Sequence, residues 1–128
     1  WDEPGLGGKN TPLFAVTGDW HKKTPDAFWG ASVHYNTYLK KYVILMNRAI
    51  DEKWKQEGIY ISFSDILSDL NSYTKPEKIM ITNRDNYSYA WYPQVIGLEF
   101  NKKDTITRAG KRVRLFIRGI SVFELEFE

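Results

Sequence analysis

The chain has no cysteine, which removes disulfides, thiolate catalysis and cysteine-built zinc sites while leaving the compartment open. Neither sign of charge dominates: 18 Lys and Arg stand against 16 Asp and Glu, so no strong field recruits nucleic acid or an anionic membrane. No apolar run approaches the roughly 18 residues of a membrane-spanning helix. His-Glu-x-x-His and Gly-x-Ser-x-Gly motifs are missing. Gly5-Leu-Gly-Gly8 is not a phosphate loop, because no strand precedes it and no Lys-Ser/Thr follows in place. The chain starts at Trp1 rather than Met, which points to a processed or truncated product with an upstream portion missing.

What the chain does have is aromatic side chains, 16% of its residues. That exceeds what packing usually requires, and sugar-binding proteins commonly use such rings as stacking platforms. Most of the rings are still expected in the core. At 128 residues the chain is one domain or a piece of a larger one.

Strands and turns dominate the pattern. Residues 1–12 have a Gly/Pro loop composition, residues 13–17 read as a short apolar strand, and residues 20–28 as a polar connection. Trp29-Gly-Ala-Ser-Val-His-Tyr-Asn36 reads as a small-residue strand ending in polar side chains, with a turn around Asn36-Thr37. The strand that follows, 38–46, is apolar at odd and even positions alike, as expected for a strand buried on both faces. Residues 50–57 form a charged excursion, 58–64 a β-branched and aromatic strand, and 64–76 a turn-rich link with a short helix capped by Ser64. Residues 77–82 complete an antiparallel meander. Strands at 91–100, 112–117 and 121–127 follow, the last alternating apolar and acidic. Trp29 and Trp91 open these two units with a shared Trp-x-x-x-Val spacing, 62 residues apart, a repeat suggestive of propeller blades. Two blades cannot close a ring, so each would leave an apolar face to be covered.

Trp29-Gly-Ala-Ser-Val-His-Tyr-Asn36, Tyr42-Val-Ile-Leu-Met-Asn-Arg48 and Gly58-Ile-Tyr-Ile-Ser-Phe-Ser64 resemble five-bladed β-propellers of the glycoside-hydrolase type, the arabinanase/xylosidase-like propellers and their bacterial relatives. Trp91-Tyr-Pro-Gln-Val-Ile-Gly97 and Arg114-Leu-Phe-Ile-Arg-Gly-Ile-Ser121 look like the last blade of such proteins. Ser64-Asp65 and Pro76-Glu-Lys-Ile79 are similar to their Ser-x-Asp-Gly-x-x-Trp-x-x-Pro hairpin, although the Gly is missing, the spacing is longer, and Tyr73 stands near the Trp position. The resemblance implies an all-β chain of antiparallel four-stranded blades, about two of five: 1–26 a loop plus a strand of the preceding blade, 27–83 one blade, 84–128 the final blade. It implies a secreted or periplasmic bacterial protein that hydrolyses or binds carbohydrate, with its main carboxylates on missing N-terminal blades. Its partners would be carbohydrate and the remaining blades or a partner chain, with no nucleic acid and no membrane. A non-catalytic carbohydrate-binding module and a structural β-sandwich interaction domain are the alternatives.

The candidate residues follow from position. His34 shares a strand face with Ser32 and Asn36, where an imidazole can serve a sugar hydroxyl, a neighbouring carboxylate or an axial metal. No cofactor is otherwise called for. Asn36 and Asn47 offer amides that both donate and accept. Trp29, Trp91 and Tyr92 flank the innermost strands and can stack on pyranose faces. Asp19, in a loop, and Glu57, before Gly58, are the local carboxylate candidates for catalysis. Each has a plainer account: a structural histidine, a turn asparagine, core rings, solvated acids. Arg108, Lys111, Arg112 and Arg114 form a basic cluster that reads as uronate or sulfate binding, or as a charged strand edge. Asn86-Tyr-Ser88 matches an N-glycosylation acceptor.

Overall fold

The computed structural model describes residues 12–15, 18, 23–50, 56–81 and 91–128. Its strands are β1 (Ala27–Asn36), β2 (Lys41–Ala49), β3 (Gln56–Ser64), β4 (Glu77–Ile81), β5 (Gln94–Gly97), β6 (Arg108–Ala109), β7 (Arg112–Ile117) and β8 (Ile120–Glu126). The chain is all-β, in two sheets. One has the order β4-β3-β2-β1-β6 and the other β5-β7-β8.

β-Branched and aromatic residues on β2 and β3 suit a pleated, buried surface, and the register sorts them. Leu45 stands opposite Ile61 and Val43 opposite Phe63, on the face that meets the small sheet. There Val43, Leu45, Ile59 and Ile61 join Val95, Val113, Leu115 and Ile117, closed off by Ala109 and Phe127, in one core. The opposite face carries Ile44 and Met46, buried as well. Rings from outside the sheet cover part of it: Phe14 packs edge-on against Phe28 and against Tyr73. β2 is therefore buried on both faces, as its sequence foretold.

β1, β2, β3 and β4 form the expected antiparallel meander. Beyond it the arrangement departs from four-stranded antiparallel blades. β6 pairs in parallel with β1, aligning Tyr35 with Arg108 and Asn36 with Ala109. It is pinned by Tyr35 N–H donating to Thr107 O (2.9 Å) and Thr37 N–H to Ala109 O (2.8 Å). A strand from the second expected unit thus belongs to the sheet of the first, and the second sheet holds three strands. The Trp-x-x-x-Val echo is not a structural repeat. Trp29 lies within β1 while Trp91 precedes β5, and Val33 is 40% exposed where Val95 is 1%.

Smaller corrections have local causes. Leu13 and Phe14 lie in a bend rather than a strand, and residues 16–17 fall outside the described residues. The helical turn of the 64–76 link is a 3-10 turn at Leu70–Ser72. Its cap is Asp69, which accepts from Asn71 N–H. Ser64 instead accepts from Ile66 N–H in a local turn. The polar turn 101–110 contains β6. β7 carries Arg112 and Arg114 on its wet face as the central strand of its sheet, so they do not guard an edge. Their charge is met by Glu124 on β8, at 2.8 and 2.7 Å.

Candidate functional site

β1 has a bulge: its pairing with β2 shifts between Trp29 and Ser32. At the bulge Gly30 adopts φ 59, a conformation that costs any residue with a Cβ about 1 kcal/mol or more. A Cβ there would lie 3.1 Å from the Tyr92 ring, 3.2 Å from Tyr92 N and 3.3 Å from Asn47 Oδ1. The missing side chain is what lets Tyr92 approach β1 so closely. Asn47, buried on β2, accepts from Tyr92 N–H at 2.9 Å. Pro93, fully buried, fixes the next residue. Tyr92 itself is held at φ 56, an uncommon state for an aromatic residue, and backbone strain of this kind concentrates at functional sites. Its side chain faces water, 57% exposed.

Trp29 and Trp91 meet edge to face with centroids 6.2 Å apart, and Trp91 and Tyr92 lie tilted at 6.2 Å. The β7–β8 hairpin closes the other side. Arg118 and Gly119 have φ 53 and 76, two positive values that suit a type I′ turn. Arg118 N–H donates to Trp91 O at 3.0 Å. Between shelf and hairpin lies an open cleft of about 690 Å³ lined by Trp91, Tyr92, Gln94, Arg118 and Gly119. Among the described residues its lining is aromatic rings, an amide and a guanidinium, with no carboxylate.

The structure brings Trp29, Trp91 and Tyr92 together and gives Asn47 the task of holding Tyr92. His34 and Asn36 lie elsewhere. Ser32, His34 and Asn36 do share one face, but that face points at the small sheet. Ser32 Oγ donates to Pro93 O at 2.6 Å. Asn36 Nδ2 donates to Gly110 O, and its Oδ1 accepts from Tyr38 N–H and Leu39 N–H. Asn36 is fully buried with these bonds filled, so it is a structural residue rather than a sugar contact. His34 is 2% exposed, lies against the Phe127 ring, and has a buried Nε2 with no hydrogen-bond partner among the described residues. Burial lowers its pKa to about 4, so the imidazole is neutral at pH 7 and cannot touch a ligand in the cleft. No group of three or more His, Asp or Glu among the described residues is placed to hold a metal.

Glu57 lies in a separate charged network. It accepts from Tyr60 O–H and pairs with Lys78. Tyr60 O–H also accepts from Arg48, whose guanidinium grips both oxygens of Asp26 at 2.8 and 2.9 Å. Asp26 and Glu57 are thus two carboxylates held by cations and a phenol. Asp19 and the Asn86-Tyr-Ser88 acceptor lie outside the described residues. Sequence reasoning missed Gly30, Gln94 and Arg118. Arg118-Gly119 between two strands carried a hairpin-turn signal for the last of these. No family model, curated protein or solved structure matches this chain.

Proposed function

We propose that this domain binds carbohydrate without turning it over, on the shelf made by Trp91 and Tyr92. The observation that carries the reading is Tyr92: a solvent-facing ring whose backbone, at φ 56, is held by its hydrogen bond to Asn47 and packed against Gly30. A pre-positioned ring loses little freedom on binding, and reduced ordering cost raises affinity. The apolar face of a pyranose stacks on such a ring, while Gln94 and Arg118 supply donors for its hydroxyls. Hydrolysis calls for two carboxylates flanking one bond. Asp26 and Glu57 are both engaged with cations, away from this cleft, which favours binding over turnover.

A second reading, the last part of a glycosidase propeller, is supported by the β1–β4 meander and by the burial of β2 on both faces. It places the acid pair on further blades. Titration of the chain with a panel of oligosaccharides, followed by tryptophan fluorescence, tests the leading reading. Saturable binding that Tyr92→Ala weakens about tenfold or more, at unchanged melting temperature, supports it. A panel that leaves the fluorescence unmoved refutes it. Release of reducing ends by this chain would favour the hydrolase instead.

A further inference from the structure

The cations of the second sheet fall into two groups. Arg112 and Arg114 both reach Glu124, and Lys111 reaches Glu126 at 2.7 Å. These side chains, with Arg108, formed the basic cluster read as uronate or sulfate binding or as a charged strand edge, and three of the four are ion-paired with Glu124 or Glu126. Arg118 differs. It forms no ion pair among the described residues, it is exposed, and among those residues it is the single charged one lining the aromatic cleft. Its backbone is doubly fixed, by the two-residue turn it shares with Gly119 and by the hydrogen bond to Trp91 O. The guanidinium therefore starts from a rigid base beside the rings.

From this juxtaposition we infer that the cleft selects acidic saccharides, uronic-acid units whose ring stacks on Tyr92 and Trp91 while the carboxylate is taken by Arg118. This rests on the carbohydrate reading and adds the ligand class. A carboxylate fits the planar fork of a guanidinium bidentately, and the described lining holds one cation and no carboxylate to repel it. Neutral sugars use the same shelf without the ionic bond.

The test compares galacturonate oligomers with their methyl esters, which share ring, linkage and length and differ in charge. Both are titrated calorimetrically against the full chain and against Arg118→Asn. Asn-Gly is the preferred type I′ pair, so this variant removes the charge while keeping the hairpin, and an unchanged melting temperature confirms it. The expected result is binding of the free acid about tenfold or more tighter than the ester, consistent with a charged hydrogen bond. In Arg118→Asn that preference falls to about one, because the acid loses both the ionic bond and a hydroxyl donor while the ester loses only the donor. Equal affinities for acid and ester, or an acid preference that persists in Arg118→Asn, overturn the inference and leave carbohydrate binding standing. Binding of neither oligomer, nor of any neutral oligosaccharide, overturns both.

Discussion

The two ends of β1 put similar residue types to opposite uses. At the Asn36 end, polar side chains turn inward and are consumed by the fold: Asn36 bonds to Gly110 O and to two turn amides, and His34 is sealed beneath Phe127. At the Trp29 end, the bulge at Gly30 frees the chain from regular pairing, and rings brought from before β5 stand in solvent beside an open cleft. Polarity within an apolar strand therefore identified the seam between the sheets. The proposed binding surface lies where the strand departs from regularity. Buried polar groups need partners, and at this seam backbone carbonyls from the far sheet and its loops supply them.

The most damaging way to test that contrast is at the closed end. Asn36→Ala leaves two turn N–H groups and Gly110 O without their partner, and each unmet group costs about 1 kcal/mol or more. Chemical denaturation should show a loss of about 3–4 kcal/mol. Oligosaccharide affinity of the remaining folded fraction should not change. A parallel loss of affinity in folded protein would mean that the two ends are not independent.

His34 gives a somewhat smaller effect with a defined pH window. Its folded pKa is about 4 against an ordinary value of 6.5, so the unfolded chain binds the proton more readily. The stability from a neutral, buried imidazole is complete above about pH 6.5 and declines as pH falls toward 4. The loss is about 3 kcal/mol across that window and levels off below it. Glu124 and Glu126, whose pKa values are lowered from 4.5 by Arg114, Arg112 and Lys111, keep their contribution above that value and begin to lose it as pH falls through it. Urea unfolding from pH 7 to pH 4 measures the slope. In His34→Leu the slope between about pH 6.5 and pH 5 should vanish, and a wild-type profile that is flat there would contradict the burial argument.

Much of the fold was legible because it depends on local pattern. The two-faced apolarity of β2 announced its strand and its burial, and the apolar/acidic alternation of residues 121–127 announced β8. The two-residue β6 was not legible, because only contacts across the chain, Tyr35 with Thr107 and Thr37 with Ala109, make a strand of it. The same holds for the site. Trp29, Trp91 and Tyr92 were singled out by residue type, whereas their meeting as a cluster depends on contacts between β1 and the segment before β5. His34 and Asn36 were misplaced, because alternation identifies which residues share a face but not what that face meets. The Asp26–Arg48 pair went unnoticed, as its partners lie on separate segments with no spacing rule to join them.

The finest test separates strain from close approach at the open end, by comparing two glycines. Gly30→Ala and Gly119→Ala each place a Cβ at positive φ, which costs about 1 kcal/mol. At Gly119 the new methyl meets nothing within 4 Å, so strain is the whole effect. At Gly30 it meets Tyr92 and Asn47 at 3.1 to 3.3 Å, tighter than ordinary contact, and the neighbours must give way. Gly30→Ala should therefore cost about 1 kcal/mol more than Gly119→Ala by thermal or urea unfolding. It should also move Tyr92 off its hydrogen bond with Asn47, so that oligosaccharide affinity falls further in this variant than in Gly119→Ala, whose methyl borders the cleft without touching Tyr92. Equal stability losses in the two variants would show that the shelf does not depend on the close approach at Gly30. Equal affinities would show that a pre-positioned Tyr92 ring contributes nothing to binding.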